Sequence, residues 1–184
     1  MTPVDLEQIG EAAGVSAVLS VQHDECLAYW GIDYGEMRAQ GAKLGLRMAR
    51  RPMRDFDIAD QRRRLPHAVA ALADLQAQGH RTYVHCTAGL GRAPLTVLSY
   101  LICIEGRSPE EAIGLIHEGR PDAVPAWEAY QGCREDLVGR HRRRIERRAY
   151  ALSRARAGGP DDPQADWMQA EAEVLRSVLE KLKE

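Results

Sequence analysis

The segment that most constrains this chain runs from Thr82 to Pro94, TYVHCTAGLGRAP. A compact apolar stretch, Thr82 to His85, reads as a strand, and Cys86 stands at its end. A turn with two glycines follows, then the run Arg92 to Ile104 (RAPLTVLSYLICI), apolar nearly all round and so expected as a buried helix. Strand, glycine turn and helix in direct succession bring a helix N-terminus and successive backbone N–H groups around one point. The unpaired donors and the positive end of the helix both favour an anion there. Gly89 and Gly91 permit backbone angles and close approach that side chains would block. Pro94 falls in the first helical turn, where its missing N–H does no harm.

Five residues separate Cys86 from Arg92. That spacing lets the loop close, so that the guanidinium pairs with two oxygens of a phosphate while the sulfur sits at the base of the same ring. The backbone of Thr87, Ala88, Gly89, Leu90 and Gly91, with Arg92, is the expected phosphate cradle. A free thiol titrates near about 8.5, and helix N-termini with adjacent cations lower that value. Cys86 is therefore expected to be ionised at neutral pH and to attack phosphorus in line. The plain alternative is a buried structural cysteine on a turn, and Cys-x5-Arg alone is a short pattern. The flanking strand, glycines and helix decide for the catalytic reading. A general acid must then protonate the leaving oxygen. Asp55, Asp57 and Asp60 lie upstream in RDFDIAD; Asp55 is the first choice and Asp57 the second. Each taken singly also reads as a solvated charge or a helix cap. His85 is expected to support the loop through hydrogen bonds rather than to act as a base.

The rest of the chain alternates short apolar runs with helical periodicity, which implies an α/β layer architecture. Thr2-Pro3 reads as the start of a helix to Ala13, closed by Gly14. Val15 to Val21 reads as a buried strand, and Gln22 to Asp33 (QHDECLAYWGID) as a polar loop. A helix from Tyr34 to Leu44 and an edge strand from Leu46 to Ala49 follow, and Arg50 to Asp60 reads as loop. Leu65, Val69, Leu72 and Leu75 recur at helical spacing up to Gly79. Ser108-Pro109-Glu110-Glu111 is a capping signature for a helix expected to bury Ile113, Leu115 and Ile116. A further helix is expected from Val124 or Pro125 to about Val138.

Composition changes after Gly139. Arg140 to Arg148 (RHRRRIERR) is a basic run, Gly158-Gly159-Pro160 breaks the chain, and Asp166 is expected to cap a last helix carrying Trp167, Ala170, Val174, Val178 and Leu182. The expected organisation is a domain over 1–139 and a helical hairpin over 140–184 that packs or dimerises. The basic run reads as a solvated helix face.

A hydrophobic content of 45% in 184 residues can fill a real core, with Leu, Ala, Val and Ile in place of the single Phe. A formal net charge of −2 predicts no global attraction to nucleic acid or to membrane surfaces. The four cysteines form no Cys-x2-Cys pair, and the histidines are scattered, so no metal site and no cofactor are expected. The start, MTPVDLEQIGEAAG, lacks the basic and apolar regions of a signal peptide, and no apolar run reaches spanning length. The expectation is a soluble, cytoplasmic protein in a reducing setting.

The loop residues resemble the dual-specificity branch of the protein tyrosine phosphatase superfamily. More narrowly, CTAGLGR at Cys86–Arg92 within HCTAGLGRAP is similar to the glucan phosphatases of the plant starch-excess-four and animal laforin type. The resemblance extends through RDFD at Arg54–Asp57, RRRLP at Arg62–Pro66 and VQHDECLAYWGID at Val21–Asp33, and spans roughly Thr2 to Val138. It implies a small mixed or parallel sheet flanked by helices, with Cys86 as nucleophile, Arg92 as phosphate binder and Asp55 as general acid. It also implies that Phe56 and the pair Tyr29-Trp30 contact sugar, although packing is an equal reading for Trp30 and Phe56. The implied substrate is a phosphorylated glucan. A phosphoprotein is the alternative, and a catalytically silent phosphate-binding module a third reading. The chain departs from the wider superfamily at Ala93, where Ser or Thr commonly follows the arginine; the plant glucan enzymes also carry Ala. Set against the family pattern, the segment that usually supplies the first strand is expected to be missing, and no segment resembles a carbohydrate-binding module. The C-terminal piece (Arg148-Ala149-Tyr150, Ala155-Arg156, Asp166-Trp167, Ala170-Glu171) resembles a short bacterial domain of unknown function, which implies no chemistry.

Overall fold

Three short apolar stretches form one parallel sheet in the computed structural model, which describes residues 3–156 and 162–182. The elements run α1 (Pro3–Ala13), β1 (Ala17–Gln22), α2 (Asp24–Tyr29), α3 (Tyr34–Lys43), β2 (Arg47–Met53), α4 (Ile58–Ala77), β3 (Thr82–His85), α5 (Arg92–Cys103), α6 (Pro109–Gly119), α7 (Trp127–Ala155) and α8 (Pro163–Glu180). The strand order is β2-β1-β3, with β1 parallel to both neighbours. Every residue of β1 is buried, because the sheet is covered on both faces. Ala17, Leu19 and Val21 enter the main core with α4 and α5, and Val18 packs on the other face with Leu6, Val15, Met37 and Leu46. The β3 strand runs from Thr82 to His85, the limits its sequence predicts.

Several local expectations are corrected. The segment after β1 is not all loop: His23 caps the six-residue α2, its ring accepting from the Glu25 N–H, and Asp24 and Glu25 face the positive helix end. The edge strand β2 continues past Ala49 to Met53 and takes in Pro52. The register with β1 shifts between Ser20 and Gln22, and an irregular edge is where a strand tolerates proline. Asp57 caps α4 at the Asp60 N–H, so that helix begins three residues before Gln61, at Ile58.

Ser108 and Glu111 form the capping box of α6 as read. Its buried residue is Ala112, however; Ile113 and Ile116 are half-buried and Leu115 is exposed. The helix expected to end near Val138 runs unbroken to Ala155, so position 139/140 falls inside α7. Arginine is a good helix former, and Val138, Ile145, Ala149 and Leu152 supply an apolar stripe against Ala170 and Val174 of α8. Asp162, not Asp166, caps α8; Asp166 is buried and paired with Arg156. The Thr2 cap and the Gly158-Gly159-Pro160 break lie outside the described residues. Leu175 and Leu179 of α8 join the main core, and Arg62 of α4 holds Asp136 of α7 through two bonds of 2.7 and 2.6 Å.

Candidate active site

The parallel sheet delivers the ends of β1, β2 and β3 to one side, the edge where α/β folds hold their ligands. Cys86 follows β3 and is buried, as is Arg92, the first residue of α5. Between them Gly89 adopts φ +74°, a left-handed angle that a side chain would strain. None of the backbone N–H groups from Thr87 to Gly91 donates to an acceptor among the described residues. The carbonyls alternate with them in the opposite sense. Cys86 O accepts from His85 Nδ1–H (3.1 Å), Ala88 O from Arg120 Nη2 (3.2 Å) and Leu90 O from Val124 N–H (2.7 Å). The loop is therefore a row of open donors backed by satisfied acceptors, the arrangement that holds an anion.

The Arg92 side chain is 1% exposed and its guanidinium is oriented from four directions. Nη1 donates to Met53 O at the end of β2 (3.0 Å) and lies 3.5 Å from Cys26 Sγ of α2. Nη2 donates to Thr87 Oγ1 (2.9 Å) and to Asp55 Oδ2 (2.6 Å). Thr87 Oγ1 also accepts from Gln22 Nε2 (3.1 Å), which ties the loop to the end of β1. The Nε–H of Arg92 is buried without a partner.

Of the three candidate acids, Asp55 alone reaches Arg92. Asp57 serves as the α4 cap. Asp60 is buried and accepts from Arg54 N–H (2.9 Å), Arg63 (2.6 Å) and Arg64 (2.9 Å). Burial pushes the Asp60 carboxyl up, but the Arg54 N–H and the two guanidiniums outweigh it and hold it below the usual carboxylate range. It anchors the base of the loop that carries Asp55.

Phe56, next to Asp55, is 96% exposed and has φ +56°, the one positive φ at a non-glycine among the described residues. Tyr29 and Trp30, at the end of α2, are 80% and 61% exposed and meet edge to face with centroids 5.2 Å apart. Arg54 bridges to Glu25 of α2 (3.1 Å), so the aromatic pair and the Asp55 loop are tied together. None of these three rings is a core residue, so packing does not account for them.

Burial pushes the His85 imidazole down to about 4, against which its bond to the Cys86 carbonyl acts only in part. The ring is neutral, its proton is on Nδ1, and it stacks on Tyr83 with an interplanar angle of 14°. All four cysteines are free. Cys103 and Cys133 pack in the core, and burial raises their thiols to about 11 and about 12, which makes them inert. A cavity of about 670 Å³ along the outer edge of β3 reaches Cys86, between Ile9 of α1, Val97 of α5 and Arg120 after α6. The sequence gives Gln22, Cys26, Arg120 and Val124 no role at the site, although Gln22 and Cys26 lie within VQHDECLAYWGID; only folding brings them to the loop.

Residues 8–131 match the family described as dual specificity phosphatase, catalytic domain. The chain is 33% identical over 146 residues to the amyloplastic phosphoglucan phosphatase DSP4 of Castanea sativa, covering 78% of this chain and 38% of that protein. It is 32% identical over 130 residues to the chloroplastic phosphoglucan phosphatase LSF1 of Arabidopsis thaliana, covering 68% and 22%. The chain thus spans well under half the length of these relatives. Among solved structures, PTPMT1 superposes with a TM-score of 0.59 at 22% identity, over 78% of this chain and 90% of that one.

Proposed function

Since the chain belongs to the dual specificity phosphatase family, we propose that it is a phosphoric monoester hydrolase acting on phosphorylated glucan. The observation that carries the chemistry is the loop itself: open N–H groups from Thr87 to Gly91, with Cys86 and Arg92 at its two ends. A substrate phosphate enters this ring, pairs with Arg92 and takes the place of Asp55 on Nη2. The Cys86 sulfur then attacks phosphorus; an S–P bond forms as the P–O bond to the leaving group breaks. Asp55 gives its proton to the departing oxygen. Water next attacks the cysteinyl phosphate, Asp55 takes its proton, the S–P bond breaks and inorganic phosphate leaves. The N–H ring and Arg92 carry the charge that builds on the equatorial oxygens.

The glucan reading rests on the exposed rings of Phe56, beside Asp55, and of Tyr29 and Trp30 on α2, which Glu25 ties to Arg54, together with the relatives named phosphoglucan phosphatases. Sugar rings present C–H faces that pack on aromatic faces. Phosphate release from phosphorylated amylopectin, a phosphotyrosine peptide and an aryl phosphate tests it. Turnover of amylopectin well above the peptide is expected; peptide turnover in its place would assign a phosphoprotein substrate. Cys86→Ser is expected to abolish all three, and retained turnover would remove the mechanism. Association of two copies through the α7–α8 hairpin is a further reading, which sedimentation equilibrium decides.

A further inference from the structure

The cysteine loop contains two peptides that glycine leaves free to flip, Ala88–Gly89 and Leu90–Gly91. A peptide group is planar and trans, so its C=O and N–H point in opposite directions. Turning the Ala88 carbonyl one way therefore turns the Gly89 N–H the other, and Leu90 and Gly91 are linked in the same manner. Glycine has no Cβ to oppose rotation of such a group, so the sequence that opens the loop to an anion also leaves its donors unaimed.

Both carbonyls are held from outside by one short segment. Arg120 Nη2 donates to Ala88 O (3.2 Å), and Val124 N–H donates to Leu90 O (2.7 Å). The segment is itself fixed. Arg120 N–H closes α6 on Ile116 O (2.8 Å), Ala123 N–H turns back to Arg120 O (3.0 Å), and His117 Nε2–H donates to Ala123 O (3.0 Å). The side chains of Arg120 and Val124 are exposed, so neither is there to fill the core.

We infer that the turn Arg120–Val124 is a clamp that aims the Gly89 and Gly91 N–H groups at the phosphate, with Arg120 as a positioning residue. The inference rests on the reading of this loop as a phosphate cradle. Arg120 acts through Ala88 and touches no reacting atom. Its charge is secondary, because Val124 does the same work with a neutral N–H.

Two variants separate the clamp from simple attraction of an anion. Arg120→Ala removes donor and charge; Val124→Pro removes an N–H and no charge, at a side chain that is 74% exposed. Tungstate, an inert oxyanion, is titrated by calorimetry against the full chain, and relaxation dispersion is recorded at the Gly89 and Gly91 amides. Both variants are expected to bind tungstate about tenfold more weakly, the scale of one lost hydrogen bond near a charged group. Both are expected to show new millisecond exchange at the two glycines with an unchanged melting midpoint, and Arg120→Lys to restore most of the affinity. Wild-type affinity in Val124→Pro, with quiet glycines, would overturn the clamp and leave the phosphatase reading intact. A wild type that binds tungstate but hydrolyses no phosphomonoester would remove that reading while the clamp stood. A wild type that binds no tungstate removes both.

Discussion

Phe56 pairs two features that stability alone does not favour: its ring is almost fully exposed, and its backbone is left-handed. A non-glycine residue in that region costs about 1 kcal/mol, and no burial offsets it here. Phe56→Gly is expected to raise the unfolding free energy by up to about 1 kcal/mol in urea titration. The same variant should lose most turnover of phosphorylated amylopectin while keeping that of an aryl phosphate; equal loss on both would place Phe56 in the chemistry instead. His85 gives a pH signature. Its folded value of about 4 lies below the ordinary 6.5 because burial disfavours the imidazolium. Between those values the unfolded chain binds the extra proton, so stability rises with pH. The contribution, about 3 kcal/mol, is complete above pH 6.5 and is lost as pH falls towards 4. His85→Asn keeps a donor for Cys86 O and cannot titrate, so its unfolding free energy should fall less steeply from pH 7 to 4.5.

At the scale of elements, each end of the loop is held by a neighbour that has its own local cause. The capping box at Ser108 and Glu111 starts α6, and α6 delivers Arg120 and its turn to the loop. Ser108→Ala should cost about 1 kcal/mol of stability, the usual price of a lost cap. Equilibrium unfolding measures it, and a value near zero would mean that α6 is held by packing alone. On the opposite side, α2 exists because His23, Asp24 and Glu25 suit a helix start, and it brings Cys26 to Arg92 and Glu25 to Arg54. The Glu25–Arg54 pair linking it to the Asp55 loop is exposed at both ends, so its effect is on geometry more than on stability.

At the scale of the whole molecule, α7 and α8 are continuous with the sheet domain. Tyr130, Cys133 and Leu137 of α7 and Leu175 and Leu179 of α8 share one core with Leu65, Val69 and Leu95. Leu175 and Leu179 lie more than 80 residues in sequence from the loop, yet both close the same core. Leu175→Ala should cost about 3 kcal/mol. If core and site form one cooperative unit, heat loss of aryl phosphate turnover and of helical signal will shift downward together in that variant. Separate shifts would show that the hairpin unfolds by itself.

The loop was legible because everything that defines it is local. A strand, a cysteine, two glycines and a helix start lie within thirteen residues, and their conformations follow from neighbouring backbone and side-chain preferences. The capping box and the β3 limits were legible for the same reason. The α2 helix and the extension of α7 were not, since a six-residue helix has no full period to read and the stripe on α7 has meaning only against α8. The sequence by itself determined that Cys86 and Arg92 flank one glycine turn between a strand and a helix start. Only the tertiary structure decided that Asp55, rather than Asp57 or Asp60, lies on Arg92, and that Met53, Gln22, Arg120 and Val124 hold the turn in shape. Those partners come from β1, β2 and the segment after α6, and only packing around a shared sheet brings such distant residues within hydrogen-bond reach.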